Sequence, residues 1–106
     1  MVVITAALSK WRERERFRVV HNWTQEDDIV VLYLYKFGND LLPYTLESIA
    51  KRRGMTLSSL KMRIGNMRAI AGDGGLAHYG LITKSVYDRF HRMPEPEMKR
   101  LAFPDL

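Results

Sequence analysis

Ala50, Gly54 and Leu60 constrain this chain more tightly than any other set of residues in it. Two short helices can cross closely only over a small side chain, and Ala50 supplies one. Four residues later, Gly54 can take the positive φ that a sharp turn between helices demands. Leu60, six residues beyond the glycine, returns an apolar side chain into the angle between the two helices. Ile49, Met55 and Ile64 complete that wedge. These offsets describe a helix-turn-helix over residues 45–70.

The flanking pattern extends this pair into an all-α fold: a three-helix helix-turn-helix unit with an added fourth helix and short terminal segments. Thr24-Gln-Glu-Asp27 reads as a capping box with Asp in place of Glu, opening a helix over about 24–37. Ile29, Val30, Tyr33 and Phe37 share one side of it, and Leu32 and Leu34 widen that face towards complete burial. Gly38 is its stop. Thr45 begins a shorter helix that Gly54 ends. Thr56 caps a third helix, fading near Ile70, in which Leu57, Leu60, Ile64 and Met67 form an apolar seam. A fourth helix from about Thr83 turns Val86, Tyr87 and Phe90 inward, and a short final turn or helix covers about Glu95–Ala102. The expected organisation is a basic N-terminal arm or docked helix over 1–22, the helix-turn-helix domain over 23–92, and a C-terminal tail or short helix over 93–106. Residues 17–20 are the one candidate for a piece of strand.

Composition narrows the function. With 106 residues there is room for one domain. The absence of cysteine excludes a disulfide framework, thiolate zinc sites and a cysteine nucleophile. His21, His78 and His91 are too far apart in sequence to suggest a metal site, so no metal or cofactor is expected. The apolar run Ile29–Tyr35 is too short to cross a bilayer. The apolar start Met1–Leu8 lacks a preceding basic region and runs into charge, the reverse of a secretory signal, so the expectation is a cytoplasmic protein without a membrane partner.

The net charge of +5 is unevenly placed: residues 45–70 hold six basic side chains and one acid, against one basic and four acidic over 23–44. A local positive patch of this kind attracts a phosphate backbone through counterion release. With the seam of the third helix turned inward, Ser58, Ser59, Lys61, Met62, Arg63, Asn66 and Arg68 are expected to lie outward, with Lys51, Arg52 and Arg53 at the end of the helix before. Arg and Lys can bond guanine edges or phosphates, Asn can bond adenine, and hydroxyls at a helix start can bond phosphates. These ten residues are the candidate DNA-binding set. Gly65 on the same side costs helix stability roughly 1 kcal/mol relative to Ala, and serves either a close approach to a ligand or packing within the fold.

Two resemblances add to this reading. Trp23-Thr-Gln-Glu-Asp-Asp28 followed by Ser48-Ile-Ala-Lys51 resembles the start of a Myb/SANT three-helix unit, without the later tryptophans of that pattern. Leu60-Lys-Met-Arg-Ile-Gly-Asn-Met67, Gly74-Gly-Leu-Ala-His-Tyr79 and Lys84-Ser-Val-Tyr-Asp-Arg-Phe90 are, in order and spacing, similar to the N-terminal helical domain found ahead of HNH nuclease domains in restriction-endonuclease-like proteins. The likeness covers about residues 22–92, and the basic lead-in before Trp23 departs from the family's usual start. It implies a domain associated with DNA recognition in restriction or mobile-element systems. It makes Asn66 either a DNA contact or a helix-terminal amide that holds the following loop, and Leu76, Tyr79, Val86, Tyr87 and Phe90 core. The family's His-Asn-His metal domain has no counterpart in these residues.

The expectation is therefore a non-catalytic module for double-stranded DNA, a transcriptional regulator or the recognition part of a restriction or phage-type system, and a homodimer is a possible form of it. The alternative is a protein-interaction factor, an inhibitor or adaptor of a nucleic-acid machine. Glu26, Asp27 and Asp28 argue against an enzyme, because adjacent helical residues diverge by about 100° and these acids read as cap and surface charges.

Overall fold

The computed structural model describes residues 21–72 and 80–106. The candidate strand at 17–20 and the loop residues Leu76, His78 and Tyr79 lie outside the described residues. Among those described, the fold is all-helical: α1 Gln25–Phe37, α2 Leu46–Arg52, α3 Leu57–Ala71, α4 Leu81–Phe90 and α5 Glu95–Ala102. None of these helices is long and apolar enough to cross a membrane.

α1 is the axle of the molecule. Thr24 caps it through the expected box: its Oγ1 accepts from the Asp27 N–H at 3.2 Å, and the Asp27 carboxylate accepts from the Thr24 N–H at 3.1 Å. From Ile29 to Leu34 every residue is buried, whichever way it points. A helix that is apolar all round must be enclosed, and α3, α4 and α5 all pack on α1. Full burial of a Val, Leu or Ile side chain contributes about 1.5–3 kcal/mol each, so this run anchors the core.

α2 and α3 meet through the turn expected from sequence. Thr45 caps α2 by accepting from the Ser48 N–H, and Thr56 caps α3 by accepting from the Ser59 N–H. Gly54 between them has φ +75°, and the Met55 N–H donates to the Ala50 carbonyl at 2.9 Å. Of the residues expected in the wedge, Ile49, Ala50, Met55 and Leu60 are buried and Ile64 is half-buried. Along the α3 seam Leu60 and Met67 are fully buried, while Leu57 and Ile64 are half-buried towards its edge. Gly72, at φ +83°, ends the helix.

The start of α4 departs from expectation, whereas the expected short final helix forms over Glu95–Ala102. α4 starts at Leu81, two residues before Thr83, and leaves Leu81 and Ile82 exposed. The C-terminal residues, set apart in the sequence reading as a tail or short helix, form α5 and pack on α1. Met98 and Ala102 are buried there, the Tyr33 hydroxyl donates to Glu95 at 2.6 Å, and Phe103 meets the Tyr33 ring edge-on with centroids 5.5 Å apart. Burial, the hydrogen bond to Glu95 and the charge of Glu95 together raise the Tyr33 pKa well above its ordinary value.

Candidate nucleic-acid interface

The first turn of α1 buries two neighbouring carboxylates, Asp27 and Asp28, at 2% and 0% exposure. Isolated buried carboxylates are prohibitive, so each has to find a cation or several hydrogen-bond donors. Because they diverge by about 100° around the helix, they address different neighbours. Asp27 faces the C-terminal end of α2, where Arg53 donates from Nε at 2.7 Å and the His21 Nε2 lies 2.5 Å away. Asp28 faces α3, where Arg63 grips both carboxylate oxygens at 2.9 Å, and the Thr83 hydroxyl of α4 donates to it at 3.2 Å.

Trp23 completes this arrangement. The Arg63 guanidinium lies over its ring, 4.3 Å from the centroid, and the His21 ring meets it edge-on at 5.1 Å. Arg63 is thus held by ion pairing in its plane and by cation–π contact on its face. Burial is the largest influence on Asp27 and works against its charge. The hydrogen bonds from His21, Arg53 and the Thr24 N–H, with the charge of Arg53, outweigh it and leave the carboxyl below its ordinary value.

Two members of the expected DNA-binding set are therefore occupied inside the protein. Arg63 was expected outward with the polar side of α3, but its side chain is only 15% exposed and spent on Asp28; Arg53 is one-third exposed and spent on Asp27. Ser59 is half-buried, accepting a hydrogen bond from the Thr56 hydroxyl at 2.9 Å and serving the cap. Asn66 is partly buried and lies within the helix, five residues before its end at Ala71, not at the helix terminus that the resemblance implied.

The rest of the set remains on the surface. Ser58, Lys61, Met62 and Arg68 are exposed, and their spacing places them with Gly65 on one stripe of α3. α3 contains no acidic residue. Among the described residues, Lys61 and Arg68 have no ion-pair partner, and neither has the exposed Lys51 at the end of α2. Arg52 lies over the Tyr44 ring at 4.4 Å and reaches Asp105 at 3.5 Å, both charged groups being well exposed. Among the described residues no three His, Asp or Glu side chains converge as a metal site.

Sequence reasoning missed the Asp28–Arg63–Thr83 cluster. The signal lay in Asp28 itself, which directly precedes six consecutive buried residues and has to share their surroundings. No protein-family description, curated protein or solved structure matches this chain.

Proposed function

We propose that this chain is a non-catalytic helix-turn-helix module that binds double-stranded DNA through the exposed stripe of α3, as a transcriptional regulator or as the recognition part of a restriction or phage-type system. The observation that carries this reading is the composition of that stripe: Ser58, Lys61, Met62 and Arg68 exposed, on a helix without a single acid. An α-helix fits the major groove, where cationic and hydroxyl side chains meet phosphates and an apolar side chain meets the thymine methyl. Lys51 and Arg52, at the end of the preceding helix, add positive charge for the phosphate backbone. The likeness to the helical domain ahead of HNH nucleases supports the choice of nucleic acid.

Titration of a labelled mixed-sequence duplex at low salt tests this. Binding that weakens in Lys61→Ala and Arg68→Ala is the expected result, and no binding to any such duplex would refute it.

A second reading, a protein-interaction factor, draws on a different place. Leu81 is 89% exposed and Ile82 43%, and they line a shallow groove with Gln25 and Ser85 at the start of α4. One stoichiometric protein partner, lost in Leu81→Asp and retained after nuclease treatment, would favour it.

A further inference from the structure

Gly65 is the residue of α3 that the fold itself does not explain. It sits mid-helix, where glycine is less favourable than any residue but proline. Gly38, Gly54 and Gly72 each have positive φ, but Gly65 does not, so its backbone conformation is open to any residue. A Cβ placed on it would meet no atom within 4 Å among the described residues. Among the described residues, neither backbone conformation nor packing calls for a missing side chain here, although Gly65 is itself partly buried. The effect of the glycine is on the outside: an object lying against α3 can come closer to the helix backbone at that point than anywhere a side chain intervenes.

Its neighbours on the surface define that object. Met62 is 62% exposed one turn before it, and Lys61 and Arg68 flank it, exposed and without ion-pair partners among the described residues. An acid-free helix with cations on either side of a bare backbone position complements a polyanion whose surface is a ridge of phosphates.

We propose that Gly65 is the close-approach point of α3, where the helix backbone comes directly against duplex DNA while Lys61 and Arg68 engage phosphates on either side. The inference rests on the DNA-binding reading above and adds to it a residue whose contribution is the absence of a side chain. Substitution at such a point separates stability from binding, because the two respond with opposite sign.

The test uses the full chain with Gly65→Ala and Gly65→Leu, both good helix formers, beside Lys61→Ala. Thermal unfolding and titration of one mixed-sequence duplex at low salt are measured for each. Gly65→Ala should raise Tm by about 4–8 °C and weaken DNA binding roughly tenfold or more, with Gly65→Leu weaker still. Affinity unchanged in both variants, while Lys61→Ala loses binding, overturns the close approach and leaves the DNA reading standing. A fall in Tm for Gly65→Ala also overturns it, since the new methyl would then have met something within the fold. If the native protein binds no duplex, both proposals fail. If the Gly65 variants lose a stoichiometric protein partner instead, the partner of this face is a protein and the inference fails.

Discussion

Arg63 holds three groups together with one guanidinium: both oxygens of Asp28 and the face of Trp23. Truncating it leaves Asp28, 0% exposed, with only the Thr83 hydroxyl as side-chain partner among the described residues. Breaking one side of a buried ion pair costs about 3–5 kcal/mol, whereas replacing both members with apolar residues of similar volume is often neutral. Arg63→Ala should therefore lower stability by that amount in urea unfolding, and Asp28→Leu with Arg63→Met should recover most of it. A loss below about 0.5 kcal/mol for Arg63→Ala, the scale of an ordinary surface substitution, would contradict an internal role. Asp27 makes a related prediction with pH. Its carboxyl binds a proton more weakly in the fold than in the unfolded chain, so its contribution is complete above the unfolded value near about 4. That contribution is lost as pH falls through the lower folded value. Asp27→Asn should flatten this part of the stability profile below about pH 4, and an unchanged acid limb in chemical unfolding would count against it.

The helices differ in how openly their sequences declare them. α1, α2 and α3 begin at Thr24, Thr45 and Thr56, whose hydroxyls each accept a backbone N–H. A short side chain ahead of an apolar period is a local signal, readable without the rest of the molecule. α4 begins at Leu81 under Gly80, with no side-chain cap, and its first two residues face solvent. Its inward period starts only at Thr83, which is why the sequence places the start too late. α5 was legible as a segment but not as a wall of the core. Its attachment depends on Tyr33 and Glu95, 62 positions apart, and on Met98 meeting an α1 that is apolar on every side. A helix with no polar face gives no hint of which neighbour covers which side. The same limit applies to the candidate site. The seam of α3 identifies its outer stripe, and Lys61, Met62 and Arg68 follow from that. Arg63 precedes Ile64 at the seam's edge, and a long side chain there can swing either way. Only the burial of Asp28 on another helix decides the direction.

Across the whole molecule, charge that is dense in sequence becomes sparse on the surface. Of the six basic residues in 45–70, Arg53 and Arg63 neutralise buried carboxylates and Arg52 is shared with Asp105. Among the described residues Lys51, Lys61 and Arg68 have no ion-pair partner, and on the proposed reading they act on DNA. Each phosphate neutralised by a side chain contributes about 0.9 to the magnitude of the slope of log K against log salt, which turns this division of labour into a measurable count. Lys61→Ala and Arg68→Ala should each reduce the slope by about 0.9. The paired replacement Asp28→Leu with Arg63→Met should leave it unchanged, although it removes an arginine from the same helix. That pair also keeps the net charge of the chain constant, so long-range attraction to DNA is the same in both proteins. Any change in slope would then report a lost contact. Anisotropy titrations of a mixed-sequence duplex over a series of salt concentrations give all the slopes. A reduction of about 0.9 in the paired variant would mean that Arg63 leaves Asp28 to reach a phosphate when DNA is bound. In that case the cluster beneath α3 would be part of the interface and not its support.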